Sequence, residues 1–348
     1  MTASIYNCYR VFFMSSFEQY VFQEAYLRVK GLGDRLKLIK EQIDWGAFVP
    51  LIKSVFRDDK IVGGRPHTDE VVVVRCLVLQ ALYGLSDQEL EYACCDRLSF
   101  RNFLGFPDIV PDFSTVWRIR DRLREAGLEK KIWDELQRQI DFKGYKIEKG
   151  VIQDASFIEA DLGRKRHYKE TKAKKNGEKI VYAEKQEKHI DRDASFSIKN
   201  HQVYYGYKDH IKIDVGNSLI RAYEVTTASE HDIGTDLVRE GDMGAYRDKG
   251  YFGRKIKAPG VLDYTMDRAS RNKPLTDEQL KRNREISTVR APGERPFSVV
   301  KRVFNGAHTF IKSLRRVRIK EMFKCFAYNL YQLVTLRKKA LALALQKA

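Results

Sequence analysis

The segment 207–225 constrains the fold more than any other part of the sequence, because its pattern predicts a β-hairpin. Residues 207–215 alternate apolar and polar side chains, which is the two-residue period of a strand with one face in a core. Gly216-Asn217 then supplies a turn signal, and residues 219–225 form a second apolar arm. A sheet with antiparallel strands is therefore expected.

Two shorter apolar runs, one on each side of this hairpin in the sequence, each lead to an acid. Residues 150–153 precede Asp154, and residues 244–247 precede Asp248. A helix is expected to begin near His231-Asp232, so the order is strand, hairpin, helix, strand, helix, which is an α/β pattern. If the two strands lie side by side, both acids reach the strand ends where ligands bind in open sheets.

A third acid, Glu294, lies in a later basic segment, with Lys301 seven residues beyond it. Two turns of an α-helix take about 7.2 residues, so Glu294 and Lys301 would share one helix face. That pairing suits phosphodiester chemistry, in which the acid binds metal and the ammonium group contacts a phosphate oxygen. An ordinary solvated ion pair is the alternative interpretation.

Three carboxylates from distant segments can together hold two divalent cations. Oxygen ligands without histidine or thiolate select Mg²⁺ or Mn²⁺. Two such ions about 3.5 to 4 Å apart stabilise both the attacking and the leaving oxygen of an in-line displacement. Asp154, Asp248 and Glu294 are therefore the candidate catalytic and metal-binding residues of a nuclease or strand-transfer enzyme. 

Other acids compete with this trio, and most of them are expected on the surface: Asp191, Asp193, Asp209 and Glu285. His210 suggests a general base, but a metal-assisted reaction makes a side-chain base unnecessary.

The charge balance predicts a polyanionic partner. The 348 residues include 64 Lys and Arg against 47 Asp and Glu, a formal net charge of +17. Double-stranded DNA is the leading partner, since basic proteins attract polyanions. A membrane surface is the rival, but residues 71–85 are too short to span a bilayer and no basic amphipathic helix is evident. We expect a cytoplasmic, nucleoid-associated protein that does not bind membranes.

The five cysteines argue against two further classes of protein. They form no C-x-x-C pair and their number is odd, which fits neither a disulfide framework nor a zinc site. Reduced thiols are expected.

N-terminal to the α/β pattern, the sequence predicts short helices over residues 69–139. Ser86-Asp-Gln-Glu89 has the form of a capping box, and Asp112 offers a second helix cap. The cluster either forms a helix-turn-helix DNA reader or a plain helical bundle with a solvated basic surface. In the first case phosphate contacts would come from Arg118, Arg120, Arg122 and Arg124.

A lysine-rich insertion separates the first acid from the hairpin. Residues 164–188 contain ten Lys or Arg and four Glu, and their low hydrophobicity suggests a mobile loop. The insertion is either a clamp that binds DNA or an ordinary solvent-exposed surface loop. Its excess of positive charge favours the DNA clamp. We therefore expect Lys172, Lys174 and Lys175 to bind DNA phosphates.

Several motifs occur in an order that resembles the DDE transposases of the insertion sequence 5 family, within the wider insertion sequence 4 group. The front region carries Gly64-Arg-Pro-His, Leu85-Ser-Asp-Gln-Glu-Leu and Pro111-Asp-Phe-Ser-Thr. The back region carries Gln153-Asp154-Ala-Ser-Phe-Ile-Glu-Ala, Tyr205-Gly-Tyr-Lys-Asp-His and Arg247-Asp248-Lys-Gly-Tyr. The third family signature is Tyr-x2-Arg-x3-Glu-x6-Lys. Arg290, Glu294 and Lys301 hold its last three places, whereas Ser287 stands where the tyrosine would be.

The resemblance implies an α/β fold, with a ribonuclease H-like mixed-sheet catalytic domain behind a helical N-terminal domain. It implies that Asp154, Asp248 and Glu294 hold two Mg²⁺ or Mn²⁺ ions, while Arg290 and Lys301 grip phosphates near the cut. The partners would be the terminal repeats of the element and target DNA, bound by a homodimer assembled on DNA. The activity would be cleavage at the element ends followed by strand transfer.

This reading divides the chain into four parts. They are an arm and helical lead-in (1–62), a helical DNA-binding domain (63–145), the catalytic domain (146–337, with a basic insertion at 161–200) and a basic tail (338–348). Two other functions remain open: a metal-dependent nuclease without strand transfer, and a non-catalytic DNA-binding derivative.

Overall fold

The computed structural model describes residues 17–56, 68–161, 172–173, 175–178, 180–187, 190–199, 201–271 and 273–347. Internal contacts divide the chain into two units. The first runs to Gln80 and resumes at Leu85–Arg122, and the second comprises Ala81–Gly84 and the chain from Leu123 onward.

The first unit is built from helices. They are α1 (Phe17–Gly31), α2 (Arg35–Lys40), α3 (Val49–Lys53), α5 (Asp87–Asp96), α6 (Leu98–Leu104) and most of α4 (Glu70–Tyr83) and α7 (Phe113–Glu125). Both predicted caps are confirmed. Ser86 and Glu89 form a reciprocal capping box at α5, and Asp112 Oδ1 accepts a hydrogen bond from the Thr115 amide at 2.7 Å. These side chains satisfy amide groups that the first helical turn leaves unpaired.

One of the four α7 arginines that the sequence offered for phosphate contacts is committed inside the protein. Arg120 is buried and donates from both Nη atoms to Asp87, at 2.7 and 2.8 Å. It also donates to Gln80 Oε1 at 2.7 Å. The expectation was therefore wrong for Arg120, whose ion pair ties α7 to α5, while Arg118 is exposed.

The second unit combines a sheet with helices, which confirms the mixed α/β class. Its helices are α8 (Glu129–Phe142), α9 (Glu184–Glu187), α10 (Asp277–Arg290), α11 (Glu294–Ser298) and α12 (Leu314–Lys347). Its strands are β1 (Val151–Ala160), β2 (Ser195–Lys199), β3 (Gln202–Asp214), β4 (Ile220–Thr227), β5 (Gly244–Arg247), β6 (Leu262–Thr265) and β7 (His308–Thr309).

Strand β1 organises the sheet. It pairs antiparallel with β3 along its length, with Asp154 opposite Ile211. On its other side it pairs in parallel with β5 at its start and with β7 at its end. Strands β4 and β2 pair antiparallel with β3, and β6 pairs in parallel with β5. The result is a mixed sheet in the order β2-β3-β1-β5-β6, with β4 and β7 as further partners.

The predicted hairpin is confirmed, since β3 and β4 pair antiparallel around the turn at residues 216–217. The expectation that only one face of β3 enters the core was wrong, because residues 206–214 are all buried. The polar side chains of the second face are paired inside the protein. Lys212 Nζ contacts both carboxylate oxygens of Asp242, at 2.9 and 3.0 Å.

Two local expectations from the sequence were also wrong. The first strand does not end on Asp154 but continues to Ala160, because β3 remains paired with it throughout. No long helix begins at His231-Asp232; a single 3-10 turn, Asp232–Gly234, stands there, with His231 Nδ1 accepting the Ile233 amide. Short turns and loops therefore lead directly into β5.

The C-terminal helix α12 packs on the hairpin. Its buried side is apolar and includes Phe323, Phe326, Tyr328, Leu330 and Leu333. The side chain of Asn329 binds both the amide and the carbonyl of Ile220 at 2.8 Å. This contact fixes α12 against the start of β4. Among the described helices, none is long and apolar enough to cross a bilayer.

Candidate active site

The candidate active site lies where β1 loses one neighbour. Pairing with β5 extends only to Gln153 opposite Arg247, and β7 joins the same side of β1 only at Glu159. Asp154 follows Gln153 and Asp248 follows Arg247, so the two acids occupy matching positions on adjacent parallel strands. Neighbouring strands lie about 4.8 Å apart. The two acid-bearing strands are therefore neighbours, which is the condition under which both acids reach one edge of the sheet.

Asp154 is held by a positive charge and sits in a partly buried position. Arg290 Nη2 donates to Asp154 Oδ2 at 3.0 Å, and the Ala155 amide donates to Asp154 Oδ1 at 2.9 Å. Burial raises the pKa of Asp154, the Arg290 charge opposes that shift, and the negative charge of Asp248 adds to it. The two carboxylates therefore lie close enough to repel each other.

The structure around Asp248 fixes the end of β5. Asp248 Oδ1 accepts the Gly250 amide at 2.8 Å and so caps the 3-10 turn Lys249–Tyr251. The preceding residue, Arg247, is fully buried and donates to Thr265 Oγ1 at 2.8 Å and to Asp263 Oδ2 at 3.0 Å. These contacts join β5 to β6 directly behind the second acid.

Glu294 begins α11 immediately after Gly293, which touches β1. A Cβ atom at Gly293 would lie 2.9 Å from Ile152 Cγ2, so only glycine permits this close approach. Residues two apart on a strand share one face, which places Ile152 and Asp154 on the same side of the sheet. The structure therefore brings the start of α11 over the face that carries Asp154, with Glu294 exposed.

The donor chemistry of this face fits divalent cations. Repulsion between Asp154 and Asp248 contributes to the raised pKa of Asp154, and a cation bound between the two carboxylates would relieve it. Glu294 does not complete a three-ligand metal site with these two acids. Within the described ranges, no three Asp, Glu, His or Cys side chains form a group able to hold a metal ion. The charge of Asp248 acts on Asp154, and Glu294 completes no such group with them in the described part of the chain.

The sequence predicted neither the ion pair of Arg290 nor the backbone geometry around Lys301. Arg290 is the last residue of α10, and it pairs with Asp154. The segment after Glu294 is not a uniform α-helix, because α11 gives way to a π-helical turn at Val299–Val303. A π turn widens the winding, so the seven-residue interval no longer returns to one face. The expected helical alignment of Glu294 with Lys301 was therefore wrong.

Lys301 instead lies in a mixed charge environment. Burial lowers its pKa, the charges of Glu159 and Asp209 oppose that shift, and Lys199 adds to it. Lys199 also acts on Asp154, whose pKa its charge lowers. Lys199 was missed by the sequence analysis, where it was one of many lysines in a basic region. Only the folded hairpin that carries it brings it near the acids.

Most of the four competing acids were predicted on the surface, but two of the four, Asp191 and Asp209, are buried. Glu285 and Asp193 are exposed as expected. Asp191 is buried and accepts a hydrogen bond from Tyr207 Oη at 2.6 Å. Asp209 is buried too, beside charges from α12.

His210 is fully buried, and Thr226 Oγ1 lies 2.9 Å from its Nε2. Burial lowers its pKa to about 4, so it is neutral at pH 7. It pairs in register with Ala155 and points away from the Asp154 face, which rules it out as a base at this site.

Asp209 shares the Asp154 face, since it pairs in register with Ser156. Its Oδ1 has no hydrogen-bond partner within the described residues. Burial and the Glu321 charge raise its pKa well above the usual value, while Lys324 and Lys301 oppose the shift. Lys324 is already bound to Glu321 at 2.6 Å. The ionised form of Asp209 is therefore poorly compensated.

Asp209→Asn is expected to stabilise the folded protein at neutral pH by on the order of 1 kcal/mol, because an amide avoids the cost that burial places on ionising the Asp209 carboxyl. The folded state binds the Asp209 proton more tightly than the unfolded state. Wild-type stability therefore falls as pH rises from the ordinary value of 3.8 through the raised folded-state pKa. The difference in the free energy of unfolding between Asp209→Asn and wild type should therefore increase as the pH rises through this range. Above the raised folded-state pKa it should stay constant.

Urea unfolding across that pH range measures the difference between wild type and Asp209→Asn. Asp134→Asn, an exposed change on α8, is the matched control. An advantage that does not depend on pH would contradict the assignment of a raised pKa to Asp209.

The basic insertion is described only in pieces. Lys172 and Lys175 are exposed. Lys174 lies outside the described residues, as do residues 162–171, and the expectation of a mobile DNA clamp falls largely on them. Cys76, Cys94, Cys95 and Cys325 form no disulfide among the described residues, and Cys8 lies outside the described ranges.

Comparison with known families identifies both regions of the chain. A family model described as Transposase DDE domain matches residues 145–330, and one described as Transposase domain (DUF772) matches residues 23–122. The first match contains Asp154, Asp248 and Glu294. No solved structure matches the chain.

Proposed function

We propose, on the premise that the chain belongs to the DDE transposase family, that it cuts and joins DNA at the ends of a prokaryotic insertion sequence. The premise rests on a family match that covers more than half of the chain. We assign it to the insertion sequence 5 family within the insertion sequence 4 group, and its sheet to the ribonuclease H-like type. The antiparallel strands β1, β3 and β4 beside the parallel strand β5 support that assignment.

One observation carries the proposal: Asp154 and Asp248 occupy matching positions on adjacent parallel strands, where β1 has no other neighbour on that side within the described residues. The close contact of Gly293 with Ile152 adds the helix that begins with Glu294 to the same face. In this proposal Glu294 moves toward the two aspartates when DNA binds. Such closure is compatible with its exposed position at the start of a helix of five residues.

The family uses divalent metal ions, and we propose two Mg²⁺ or Mn²⁺ ions held by Asp154, Asp248 and Glu294. When bound, such ions stabilise the charge on the attacking and leaving oxygens. Arg290 neutralises Asp154 in the free protein. It becomes available to a phosphate oxygen once a cation takes over that role.

The proposed reaction has two steps of the same kind. Water attacks phosphorus at the element end and the bond to the 3′ oxygen breaks, which leaves a 3′ hydroxyl on the element. That hydroxyl then attacks phosphorus in target DNA and displaces another 3′ oxygen. In each step the proton lost by the nucleophile is balanced by one gained at the leaving oxygen, and no side chain is covalently modified.

Positive side chains around the site would hold the DNA. Arg290 contacts Asp154, Lys301 lies near Glu159 and Asp209, and the exposed Lys172 and Lys175 belong to the basic insertion. The net charge of +17 supports a polyanionic partner. We further propose that the protein acts in the prokaryotic cytoplasm, at the nucleoid, and assembles as a homodimer on the terminal inverted repeats.

The proposal is tested by mixing the purified protein with DNA that carries the inverted repeats flanking its coding sequence, together with a target plasmid. In Mg²⁺ we expect cleaved ends and covalent joining of those ends to the plasmid. EDTA should stop both reactions because the carboxylates alone cannot neutralise the reacting phosphate, and fresh Mg²⁺ or Mn²⁺ should restore them. Gel analysis of end-labelled DNA measures both products.

Two outcomes of that experiment would change the assignment. Cleavage without joining would indicate a nuclease that performs no strand transfer. Binding of the repeats without cleavage under any divalent cation would indicate a non-catalytic DNA-binding protein.

A further inference from the structure

The strand that carries Asp248 leads into a turn that is fixed at both ends. We call residues 248–254 the Asp248 turn. At its start the Asp248 carbonyl accepts the Tyr251 amide at 3.1 Å. At its end the buried Arg247 donates from Nη2 to the Arg254 carbonyl at 2.9 Å. Side chains on this turn are therefore presented in a defined position.

One aromatic side chain of the Asp248 turn is buried and the next is exposed. Tyr251 is 1% exposed, and its ring centroid lies 5.8 Å from the guanidinium carbon of Arg247. Phe252 is 48% exposed. A 3-10 helix completes one turn in three residues, so consecutive side chains diverge by about 120°. The fold that buries Tyr251 therefore turns Phe252 toward solvent.

The exposed ring has a cation on the same side of the turn. Lys249 is exposed and stands three residues before Phe252, and side chains at that spacing eclipse each other in a 3-10 helix. The Phe252 amide donates to the Lys249 carbonyl at 3.3 Å, which brings the two residues together. Nucleic acid strands bind such pairs, because phosphates contact the cation and bases stack on the ring.

The ring lies within reach of DNA held at the candidate acids. The hydrogen bond from Tyr251 to Asp248 closes a turn, which keeps their Cα atoms within about 7 Å. One further residue adds at most about 3.8 Å, so the Phe252 Cα lies within about 11 Å of the Asp248 Cα. Bases in a DNA strand stack about 3.4 Å apart. The ring therefore reaches bases within about three steps of a phosphate held at Asp248.

An aromatic ring stacks only on a base whose face is open. Inside a duplex both faces of each base are covered by its neighbours, and reaching such a base requires its extrusion. Cleavage at the element end, the first step of the proposed reaction, uncovers the outer face of the terminal base beside the cut. That base is the one near Asp248 on which Phe252 can stack without extrusion.

We propose that Phe252 stacks on the terminal base that cleavage uncovers, and that Lys249 binds the adjacent phosphate. This contact holds the cut end, with its 3′ hydroxyl, beside Asp154 and Asp248 for strand transfer. Stacking on an aromatic ring tolerates any base, so the contact recognises a DNA end and not a base sequence. The inference rests on the proposed function, because it takes DNA seated at Asp154 and Asp248 as given.

The test compares Phe252→Leu with wild type in the full chain, on two duplexes that carry the inverted repeat. The uncut duplex continues into flanking sequence, and the cut duplex ends at the cleavage position. Leucine keeps an apolar side chain without an aromatic face, and Phe252→Trp restores a ring. Phe142→Leu is the matched control, because Phe142 is also an exposed phenylalanine, 87% exposed at the end of α8.

Fluorescence anisotropy in Ca²⁺, which carboxylates also bind, measures the affinity for each duplex, and a gel of the same samples shows whether the DNA stays intact. We expect Phe252→Leu to bind the cut duplex about tenfold more weakly than wild type does, and the uncut duplex within twofold of wild type. Normal binding of the uncut duplex shows that the variant is folded. Phe252→Trp and Phe142→Leu should match wild type on both duplexes.

An abasic nucleotide at the end of the cut duplex identifies the base that the ring contacts. It should weaken wild-type binding about tenfold and leave the affinity of Phe252→Leu unchanged, because either change alone removes the same stacking contact. Additive losses would show that ring and base do not touch.

Three other results would overturn the stacking contact: no loss of affinity for the cut duplex in Phe252→Leu, an equal loss on both duplexes, or a change in the mass of the DNA-free variant by light scattering. The last result would show that Phe252 contacts a second copy of the chain. Binding is measured without cleavage, so a wild type that shows the stacking effect but does not cut in Mg²⁺ refutes the proposed catalytic function alone. A wild type that cuts and joins DNA, while Phe252→Leu binds the cut duplex equally well, refutes the stacking contact alone.

Discussion

Replacing Asp154 with Asn is expected to reduce DNA cleavage by about 10³-fold or more, a loss comparable to removing a principal charge-stabilising group from an active site. Asn keeps the size of the side chain and can still accept the Ala155 amide. It loses the negative charge needed to hold a divalent cation beside Asp248. Affinity for DNA should be unchanged, because binding depends on the lysines and arginines around the site.

Cleavage of end-labelled DNA in Mg²⁺ measures the first quantity, and fluorescence anisotropy measures the second. Asp134→Asn is the matched control, since Asp134 is an exposed acid paired with Lys130 on α8. Substantial cleavage by Asp154→Asn in Mg²⁺ would show that the reaction does not use the assigned acids. Thermal unfolding of Asp154→Asn distinguishes a loss of cleavage caused by the missing charge from one caused by loss of the fold.

Lys212→Met is expected to destabilise the protein by about 3 to 5 kcal/mol, because it leaves the buried carboxylate of Asp242 without its cation. The side chains of Lys212 and Asp242 are only 7% and 4% exposed, and they are in contact at 2.9 Å. Lys212 is on β3, where it pairs in register with Gln153 of β1, the residue before Asp154. Urea unfolding gives the difference in the free energy of unfolding.

The double variant Lys212→Met/Asp242→Asn should recover much of that loss, because it removes both charges and keeps similar volumes. The amide oxygen can still accept the Arg239 amide, which binds Asp242 at 2.7 Å. If the double variant is as unstable as the sum of the two single variants, the ion pair is not the cause of the loss. Arg138→Met, which removes the exposed partner of an i, i+3 ion pair with Glu135 on α8, is the surface control and should cost about 1 kcal/mol or less.

The sequence was sufficient to predict features that depend on local patterns. Alternation and a turn signal located the β3–β4 hairpin, and two short apolar runs located the strands that carry Asp154 and Asp248. The capping residues Ser86 and Asp112 were also recognisable, since a helix start depends on a few adjacent residues. These features involve short-range geometry that side-chain type alone largely determines.

Features that depend on tertiary packing were not predictable in the same way. The burial of β3 on both faces follows from α12 and from the ion pair of Lys212 with Asp242. The capture of Arg290 by Asp154 and the approach of Lys199 depend on contacts between residues more than 40 positions apart in the chain. The π turn at Val299–Val303 replaced a regular helix that the seven-residue spacing had suggested.

The contact between Gly293 and Ile152 has a consequence for how this protein can change during evolution. The two positions are 141 residues apart but share a single small volume, because the absent side chain of one is filled by the branched side chain of the other. A larger residue at 293 becomes tolerable only when residue 152 shrinks. Substitutions at these two positions are therefore constrained to arise as a pair, although neither residue takes part in the chemistry.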